Sequence, residues 1–212
     1  MIIEKVFQAA EPLLRDRIIT DAVLGLSLTA VELDCKDIGL SYVLRERLPA
    51  GCSAFGFAQH IIGAPAPEIA RLVLQGRDDA QRSVGMAVIT AATRALDLPD
   101  EPVLPTPFGL QVRPADRVGM IGYIPPVAEQ LANMQARVFI FDKGLTVSGG
   151  EGAAQVMEMS RQEEILPLCD LMIITGTTLI NGSIDHLLTL CRNAREIVLV
   201  GSSTPMLTEA FR

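Results

Sequence analysis

The spacing of apolar residues along the first 44 positions predicts a helix followed by paired strands. Apolar residues recur every three or four positions over residues 4–17, which is the stripe of an amphipathic helix. Residues 18–33 are instead β-branched or apolar in partial alternation. A polar turn at 34–37 then separates them from a second apolar run at 38–44. We therefore expect an N-terminal helix and one antiparallel hairpin.

Two further helices are predicted before a proline-rich boundary. Residues 49–67 are rich in glycine, alanine and proline and indicate a loop. Helical spacing returns at 67–75 and again over 78–95, where a narrow stripe of small residues would allow close packing on a sheet. Five prolines in 99–115 block both a helix and a central strand. Residues 1–98 are thus predicted to form an α+β domain.

The pattern changes after the linker at 99–115. Residues 116–212 contain short, almost wholly apolar runs separated by helical stretches, which is typical of buried parallel strands joined by right-handed crossovers. We expect a Rossmann-like domain here. The predicted strands are 118–123, 138–141, 171–175 and 197–200.

Composition narrows the class of protein and of ligand. The chain is 49% hydrophobic and 20% charged, as expected of a globular protein. A net charge of -7 with scattered arginines gives no support to a nucleic-acid surface and favours a small-molecule partner. No apolar run approaches the roughly 18 residues of a membrane span, and the first five residues do not resemble a signal peptide. We therefore expect a cytoplasmic protein with no membrane partner.

Two hydroxyl-rich turns, each directly after a predicted strand, are the strongest indication of a binding site. In an open parallel sheet the ligand crevice lies outside the carboxyl ends of the strands, so adjacent turns would line one pocket. A helix beginning beside the first turn would add a positive dipole suited to an anion or carboxylate. These residues could also merely cap that helix, and the two roles are compatible. The candidate ligand-binding residues are Thr175, Gly176, Thr177, Thr178 and Asn181 in the first turn and Ser202, Ser203 and Thr204 in the second.

A glycine turn near residue 120 raises the alternative of a nucleotide ligand. A dinucleotide fingerprint requires Gly-x-Gly-x-x-Gly, whereas the spacing here is Gly119, Gly122 and then Pro125. We therefore interpret this segment as a plain tight turn after a strand. Asp142 follows about 20 residues later, as a ribose-binding acid would. It is read equally well as a solvated carboxylate at a strand end, so Gly122 and Asp142 remain candidate ligand contacts.

Other chemistry-bearing residues give no clear site. The glycine-rich stretch 144–152 is either a lid or an exposed connection, and no Walker motif follows it. His60 and Cys52 fall in one loop, and His186 lies within a predicted helix. Four cysteines without a Cys-x-x-Cys pair indicate reduced, mostly buried thiols. Catalytic and metal-binding residues therefore stay unassigned.

The order of these motifs resembles one known family. Gly-x-x-Gly-x-x-Pro at 119–125, Asp170 before an apolar strand, the stretch 175–185 and Gly-Ser-Ser-Thr-Pro at 201–205 look like the proteins called putative heavy-metal chelation proteins, a group of unknown function. The resemblance also covers 24–31 and 83–91. It implies a domain similar to the N-terminal fold of enolase, a Rossmann-like domain and a site between the two. It further implies a metal ion or metal chelate as cofactor, with links to metal uptake and anaerobic corrinoid metabolism.

Three departures from the family pattern bear on this resemblance. Thr90 stands where the family usually has Asn, and Ser202 where it usually has Pro. The family continues beyond the position of Arg212, so we expect a sheet one or two strands short. In addition, soft metals prefer clustered thiolates or imidazoles, and the sequence shows no such cluster.

These observations lead to one main functional hypothesis and two alternatives. The main hypothesis is a small-ligand-binding protein whose interdomain cleft holds an anionic metabolite or a metal chelate. An interaction or scaffold module with a vestigial cleft is the first alternative, and a nucleotide-dependent enzyme is the second. Whether the chain catalyses a reaction, and whether it forms a homo-oligomer, are left open.

Overall fold

The computed structural model describes residues 1–44, 58–98, 104–145 and 152–212. The chain forms two compact units. The first unit contains Met1–Leu98, Gly176–Ile184 and Gly201–Arg212, and the second contains Pro99–Thr175 and Asp185–Val200. Two segments expected in the Rossmann-like domain, Gly176–Ile184 and Gly201–Arg212, thus group with the first unit, while the domain bounds 1–98, 99–115 and 116–212 stay a prediction. Cys52, residues 49–57 of the loop 49–67, the start of the linker at 99–103 and most of the glycine-rich stretch 144–152 lie outside the described residues.

The helices and strands follow one another in the expected mixed order. Along the chain they are α1 (Ile2–Leu14), β1 (Ile19–Leu24), β2 (Leu28–Leu33), β3 (Ile38–Tyr42), α2 (Ala66–Ala70), α3 (Leu72–Gln75), α4 (Asp79–Ala92), β4 (Arg117–Ile121), α5 (Pro125–Asn133), β5 (Arg137–Phe141), β6 (Ala154–Val156), α6 (Gln162–Ile165), β7 (Leu171–Thr175), α7 (Thr177–Ile180), α8 (Ile184–Leu190) and β8 (Glu196–Val200). The expected fold class, an antiparallel α+β part and a parallel α/β part, is confirmed.

The first unit contains a three-stranded antiparallel sheet in the order β1-β2-β3. The expectation of a single hairpin was therefore wrong, because residues 18–33 form two strands rather than one. The chain reverses at Gly25, whose N–H donates to the carbonyl of Leu28 at 2.9 Å. A Cβ at position 25 would lie 2.7 Å from that same carbonyl oxygen, so the tight reversal needs glycine. Apolar alternation continues across this turn and conceals it.

Helix α4 packs on one face of this sheet, as its stripe of small residues predicts. Asp78 begins the helix by accepting a hydrogen bond from the N–H of Gln81 at 2.9 Å. Opposite the helix stands Gly39 of β3, where a Cβ would collide with the backbone of Ala87 and Ala91. Eleven of the helix's fourteen residues are buried. The close approach of helix and strand therefore depends on the absence of side-chain volume at their contact.

The second unit contains a parallel five-stranded sheet in the order β6-β5-β4-β7-β8. This is the strand order of a Rossmann-like half. Strands β5 and β6 are added on one side of β4 and strands β7 and β8 on the other, and ligands of such sheets bind at the point where the order switches sides. Strand β6 was not predicted, because three residues are too short to show a period. The core is formed mainly by buried side chains of the strands and of α5, including Val118, Met120, Leu131, Ile140 and Ile173.

An ion-pair network joins the amino ends of the strands in the second unit. Arg195 donates to both carboxylate oxygens of Asp116, at 2.8 and 3.3 Å, and these hydrogen bonds raise the pKa of Arg195. Asp170 accepts from the backbone N–H of Arg117 at 2.8 Å. The carboxylate of Asp170 also lies 3.7 Å from the guanidinium of Arg195. The acid that precedes β7 in the sequence motif thus ties strand ends together at the edge opposite the expected ligand crevice.

Within residues 1–44, 58–98, 104–145 and 152–212, no helix is both long and apolar enough to cross a membrane.

Candidate functional site

Gly122 and Asp142 build one rigid turn at the carboxyl edge of the parallel sheet. Gly122 has φ +85°, a conformation that favours glycine, and its N–H donates to the carbonyl of Phe141 at 2.9 Å. The carboxylate of Asp142 accepts from the N–H of Tyr123 and from the N–H of Gly144, each at 2.8 Å. Asp142 is partly exposed, so both roles left open for it, a ligand contact and a solvated carboxylate at a strand end, stay predictions. Its oxygens hold two backbone loops in place.

The helix that follows this turn is poorly equipped to bind a phosphate. A dinucleotide site uses free N–H groups in the first helical turn. In α5 the first two positions are Pro125 and Pro126, which have no N–H. The next two N–H groups, of Val127 and Ala128, both donate to the carbonyl of Ile124, at 3.1 and 3.0 Å. None of these four positions therefore offers a donor to a pyrophosphate.

The two hydroxyl-rich turns lie against each other in the first unit. A Cβ at Gly176 would lie 2.6 Å from Thr204 Oγ1, 2.7 Å from the carbonyl carbon of Ser203 and 2.8 Å from the nitrogen of Thr204. The turns are thus in direct contact, and the glycine is what permits it. The two turns are almost 30 positions apart in the sequence. They meet here, as expected from their places directly after two predicted strands.

Ser203 is buried and belongs to a cluster of hydroxyls that the sequence did not reveal. Its Oγ accepts from the N–H of Tyr42 at 2.8 Å and lies 3.3 Å from Ser41 Oγ. Ser83 Oγ in turn bonds to Ser41 Oγ at 3.2 Å and donates to the carbonyl of Tyr42 at 3.0 Å. The three serine residues are at most 1% exposed. We call Ser41, Ser83 and Ser203 the serine cluster.

Asn181 makes a local hydrogen bond between two short helices. Its Oδ1 accepts from the N–H of Ser183, two residues on, at 3.0 Å. The residue ends α7, a helix of only four residues, and precedes α8, which has seven. The contribution expected from a helix dipole is therefore small, because so few peptide units are aligned. Pro205 does not start a helix, since the next helical turn is Thr208–Phe211.

The remaining candidates differ in their exposure. Ser202 is exposed, Thr177 is half-buried and Thr178 is buried. Thr204 is half-buried as a residue, yet its Oγ1 is enclosed and has no hydrogen-bond partner among the described residues. Thr175 is half-buried, and a Cβ on Gly122 would lie 3.1 Å from it.

The ten predicted residues form two groups: Gly122, Asp142 and Thr175 in the second unit, and Gly176, Thr177, Thr178, Asn181, Ser202, Ser203 and Thr204 in the first.

The described residues do not provide a cage for a soft metal. No group of three or more His, Cys, Asp or Glu side chains suited to a metal ion occurs in the part of the chain that the structure describes. Burial raises the pKa of Cys169 to about 12 and that of Cys191 to about 11, so both thiols stay protonated and are poor ligands. His60 and His186 are exposed. The donors present are mainly hydroxyls, amides and one carboxylate, which suit hard oxygen chemistry rather than thiophilic metals.

Comparison with known proteins places this Rossmann-like and α+β chain in a family. The profile of the family described as putative heavy-metal chelation matches residues 106–212, so the chain belongs to that family. A second profile with the same description matches residues 7–93. The resemblance inferred from the sequence motifs is thereby confirmed.

Individual relatives support the fold and carry no assigned activity. A crystal structure of a protein with unknown function from this family, from Pyrococcus horikoshii, matches with a TM-score of 0.80 at 22% identity, over 100% of this chain and 83% of that one. Another, from Desulfitobacterium hafniense, matches with a TM-score of 0.72 at 22% identity, over 98% and 82%. An uncharacterized protein of Methanocaldococcus jannaschii is 27% identical over 99 residues, which cover 45% of this chain and 36% of that protein. The likeness to the enolase N-terminal fold stays a prediction.

Proposed function

We propose that this protein binds a small anionic metabolite or a metal chelate at its two hydroxyl-rich turns. The observation that carries the proposal is the contact between the turns at Gly176 and Thr204, where hydroxyl-bearing segments from distant parts of the sequence meet. The family description, heavy-metal chelation, agrees with a small ligand. The expectation that the ligand lies between two domains stays a prediction.

The charge of the turns favours an anion over a bare cation. Residues 175–183 and 201–205 include no acidic side chain. The Oδ1 atom of Asn181 is engaged by Ser183, so its amide group presents N–H donors to a ligand. Hydroxyl and amide donors match the oxygens of carboxylates and phosphates, whereas Ca²⁺ and Mg²⁺ sites are usually built with carboxylate ligands. A metal would therefore arrive with its own oxygen-rich ligand shell, and the protein would recognise that shell.

A thermal-shift panel tests the proposal. The probes are orthophosphate, citrate, nickel(II) alone and the nickel(II)–citrate chelate. A ligand at 100 times its Kd stabilises the folded state by about 2.7 kcal/mol, which in a chain of this size raises Tm by roughly 5–11 °C. We expect stabilisation by citrate or its chelate, little by nickel alone, and loss of the effect in Thr177→Val and Asn181→Asp. Ser160→Ala, at an exposed serine outside the turns, is the control. A stabilisation that survives both turn variants would contradict the proposed site.

A second candidate function, an interaction module, is favoured by one observation. Several apolar side chains of the three-stranded sheet and its first turn are exposed: Val23 is 60%, Leu26 is 81% and Ile38 is 48% exposed. Exposed apolar clusters often mark contact surfaces. Under this alternative, Leu26→Ser would alter the oligomeric state measured by light scattering and leave ligand stabilisation unchanged. A purely monomeric protein that binds a turn ligand would count against it.

The third alternative, a nucleotide-dependent enzyme, receives no support from the geometry of α5. Its first two positions, Pro125 and Pro126, provide no N–H to a pyrophosphate. We expect titration with NADH to show no binding tighter than about millimolar, a limit that corresponds to about 4 kcal/mol of binding free energy. Micromolar binding would restore this alternative.

A further inference from the structure

We infer that Ser203 is a positioning residue, which holds the second hydroxyl-rich turn against β3 so that its neighbours can meet the ligand. The inference rests on the proposed function and revises one part of it. Ser203 was predicted to contact the ligand, yet its side chain is 1% exposed and its oxygen is already engaged. The exposed hydroxyl of the turn belongs to Ser202.

The serine cluster forms a closed circuit of hydrogen bonds that starts at the backbone N–H of Tyr42 and returns to the carbonyl of the same residue. The circuit begins at the N–H of Tyr42, which donates to Ser203 Oγ at 2.8 Å. It continues through Ser41 Oγ at 3.3 Å to Ser83 Oγ at 3.2 Å. It ends where Ser83 donates to the carbonyl of Tyr42 at 3.0 Å. Both backbone groups of Tyr42 are therefore satisfied by side chains from other parts of the first unit.

The position of Tyr42 explains why such a circuit is needed. Within the part of the chain that the structure describes, strand β3 lies at the edge of its sheet, because the order is β1-β2-β3 and no other described strand pairs with it. An edge strand presents one row of unpaired backbone groups, and a buried N–H without a partner is costly. Ser203 supplies the acceptor for the N–H of Tyr42. Removing that hydroxyl would leave the N–H without its partner and release the turn from the strand.

The consequence for ligand binding concerns the residues on either side of Ser203. Ser202 and Thr204 adjoin it in the chain, and Thr204 packs directly against Gly176. With Ser203 anchored, the turn has one orientation, and the hydroxyl of the adjoining Ser202 has a defined place. Without the anchor the ligand would have to order the turn itself, and that entropy cost reduces affinity. Ser83 donates to the carbonyl of Tyr42, whereas the bond that ties the turn to the strand runs from the N–H of Tyr42 to Ser203.

Amide hydrogen exchange and ligand affinity together test this role. The variants are Ser203→Ala, Ser83→Ala and Ser202→Ala, and the probe is nickel(II)–citrate measured by calorimetry. Loss of one such hydrogen bond corresponds to about tenfold faster exchange at the Tyr42 amide when exchange proceeds by local opening. We expect Ser203→Ala to show this acceleration together with at least about tenfold weaker binding. Amides of α4, such as that of Ile89, serve as the internal reference for global unfolding.

The two control variants separate positioning from general destabilisation. Ser83→Ala removes a serine of equal burial from the same cluster but leaves the bond between Ser203 and Tyr42. In this variant the Tyr42 amide should remain protected, and the affinity for the probe should change less than about twofold. Ser202→Ala should weaken binding without changing exchange. If Ser203→Ala does not fold, Ser203→Cys, which fills the space with a weaker acceptor, is judged by the same criteria.

Three results would overturn the inference. They are unchanged Tyr42 exchange in Ser203→Ala, equal effects of Ser203→Ala and Ser83→Ala, or unchanged nickel(II)–citrate affinity in a Ser203→Ala protein whose wild type binds the chelate. If no probe of the panel binds the wild type, the proposed function fails, and the exchange of Tyr42 alone decides whether Ser203 holds the turn.

Discussion

Replacing Gly176 with alanine tests whether the two hydroxyl-rich turns pack against each other. Gly176 has φ −60° and ψ −16°, which alanine adopts without strain. Any effect of Gly176→Ala therefore comes from the added methyl group. The substitution isolates the contact on which the candidate site depends.

The magnitude follows from what the methyl group would meet. Its carbon would lie 2.7 Å from the carbonyl carbon of Ser203 and 2.8 Å from the nitrogen of Thr204, and both are backbone atoms. They cannot rotate away as a side chain can, so one turn must shift. Overpacking of this kind costs about 1–3 kcal/mol. In a protein of this size we expect Tm to fall by roughly 2–12 °C.

Urea denaturation followed by circular dichroism measures this free energy of unfolding. Gly152→Ala is the matched control, because a Cβ there meets its nearest atom at 3.5 Å, an ordinary contact. The control should stay within about 0.5 kcal/mol of the wild type. In addition, Gly176→Ala combined with Thr204→Ala should remain destabilised, because the second change removes only the hydroxyl from the collision.

A stability of Gly176→Ala within about 0.5 kcal/mol of the wild type would refute the reasoning. The turns would then not be in contact, and the convergence of their hydroxyls would lose its basis. Full rescue by Thr204→Ala would also contradict the backbone collision, since it would show that only the Oγ1 atom matters.

Three other predictions concern the second unit. Asp116→Ala should lower the free energy of unfolding by about 1.5–3 kcal/mol, because Arg195 loses a charged hydrogen-bond acceptor; urea denaturation indistinguishable from wild type would argue against the network. Gly122→Ala should destabilise by about 1–3 kcal/mol, because φ is +85°, and an unchanged Tm would contradict that strain. Cys169 and Cys191, with pKa values raised to about 12 and 11 by burial, should resist a disulfide reagent at pH 8 until the protein unfolds. Labelling of either cysteine in the folded protein, detected by peptide mapping, would contradict this prediction.

Periodicity predicted the elements that are long and buried on a regular face. Helices α1 and α4 and four of the five parallel strands appeared where apolar spacing placed them, because burial imposes a period on the sequence. The reversal at Gly25 was missed, since apolar residues continue on both sides of it. Strand β6 was missed because three residues, Ala154–Val156, cannot show a period.

The site was predictable only as far as local chemistry reaches. The bond of Asn181 to a backbone N–H two residues on was foreseeable, because such turns depend on neighbours. The serine cluster was not foreseeable, because Ser41 and Ser203 are separated by 162 positions and no sequence motif connects them. Predicting that contact requires the fold itself.

The affinity of Asn181→Asp for nickel(II)–citrate and for citrate, measured by calorimetry beside urea denaturation, tests the central claim most directly. Aspartate can still accept from the N–H of Ser183, so the free energy of unfolding should change by less than about 0.5 kcal/mol. A ligand-binding amide would be replaced by a repelling carboxylate, so affinity for whichever probe stabilises the wild type should fall at least about tenfold. Unchanged affinity, or equal losses of stability and affinity, would contradict an anion site at these turns.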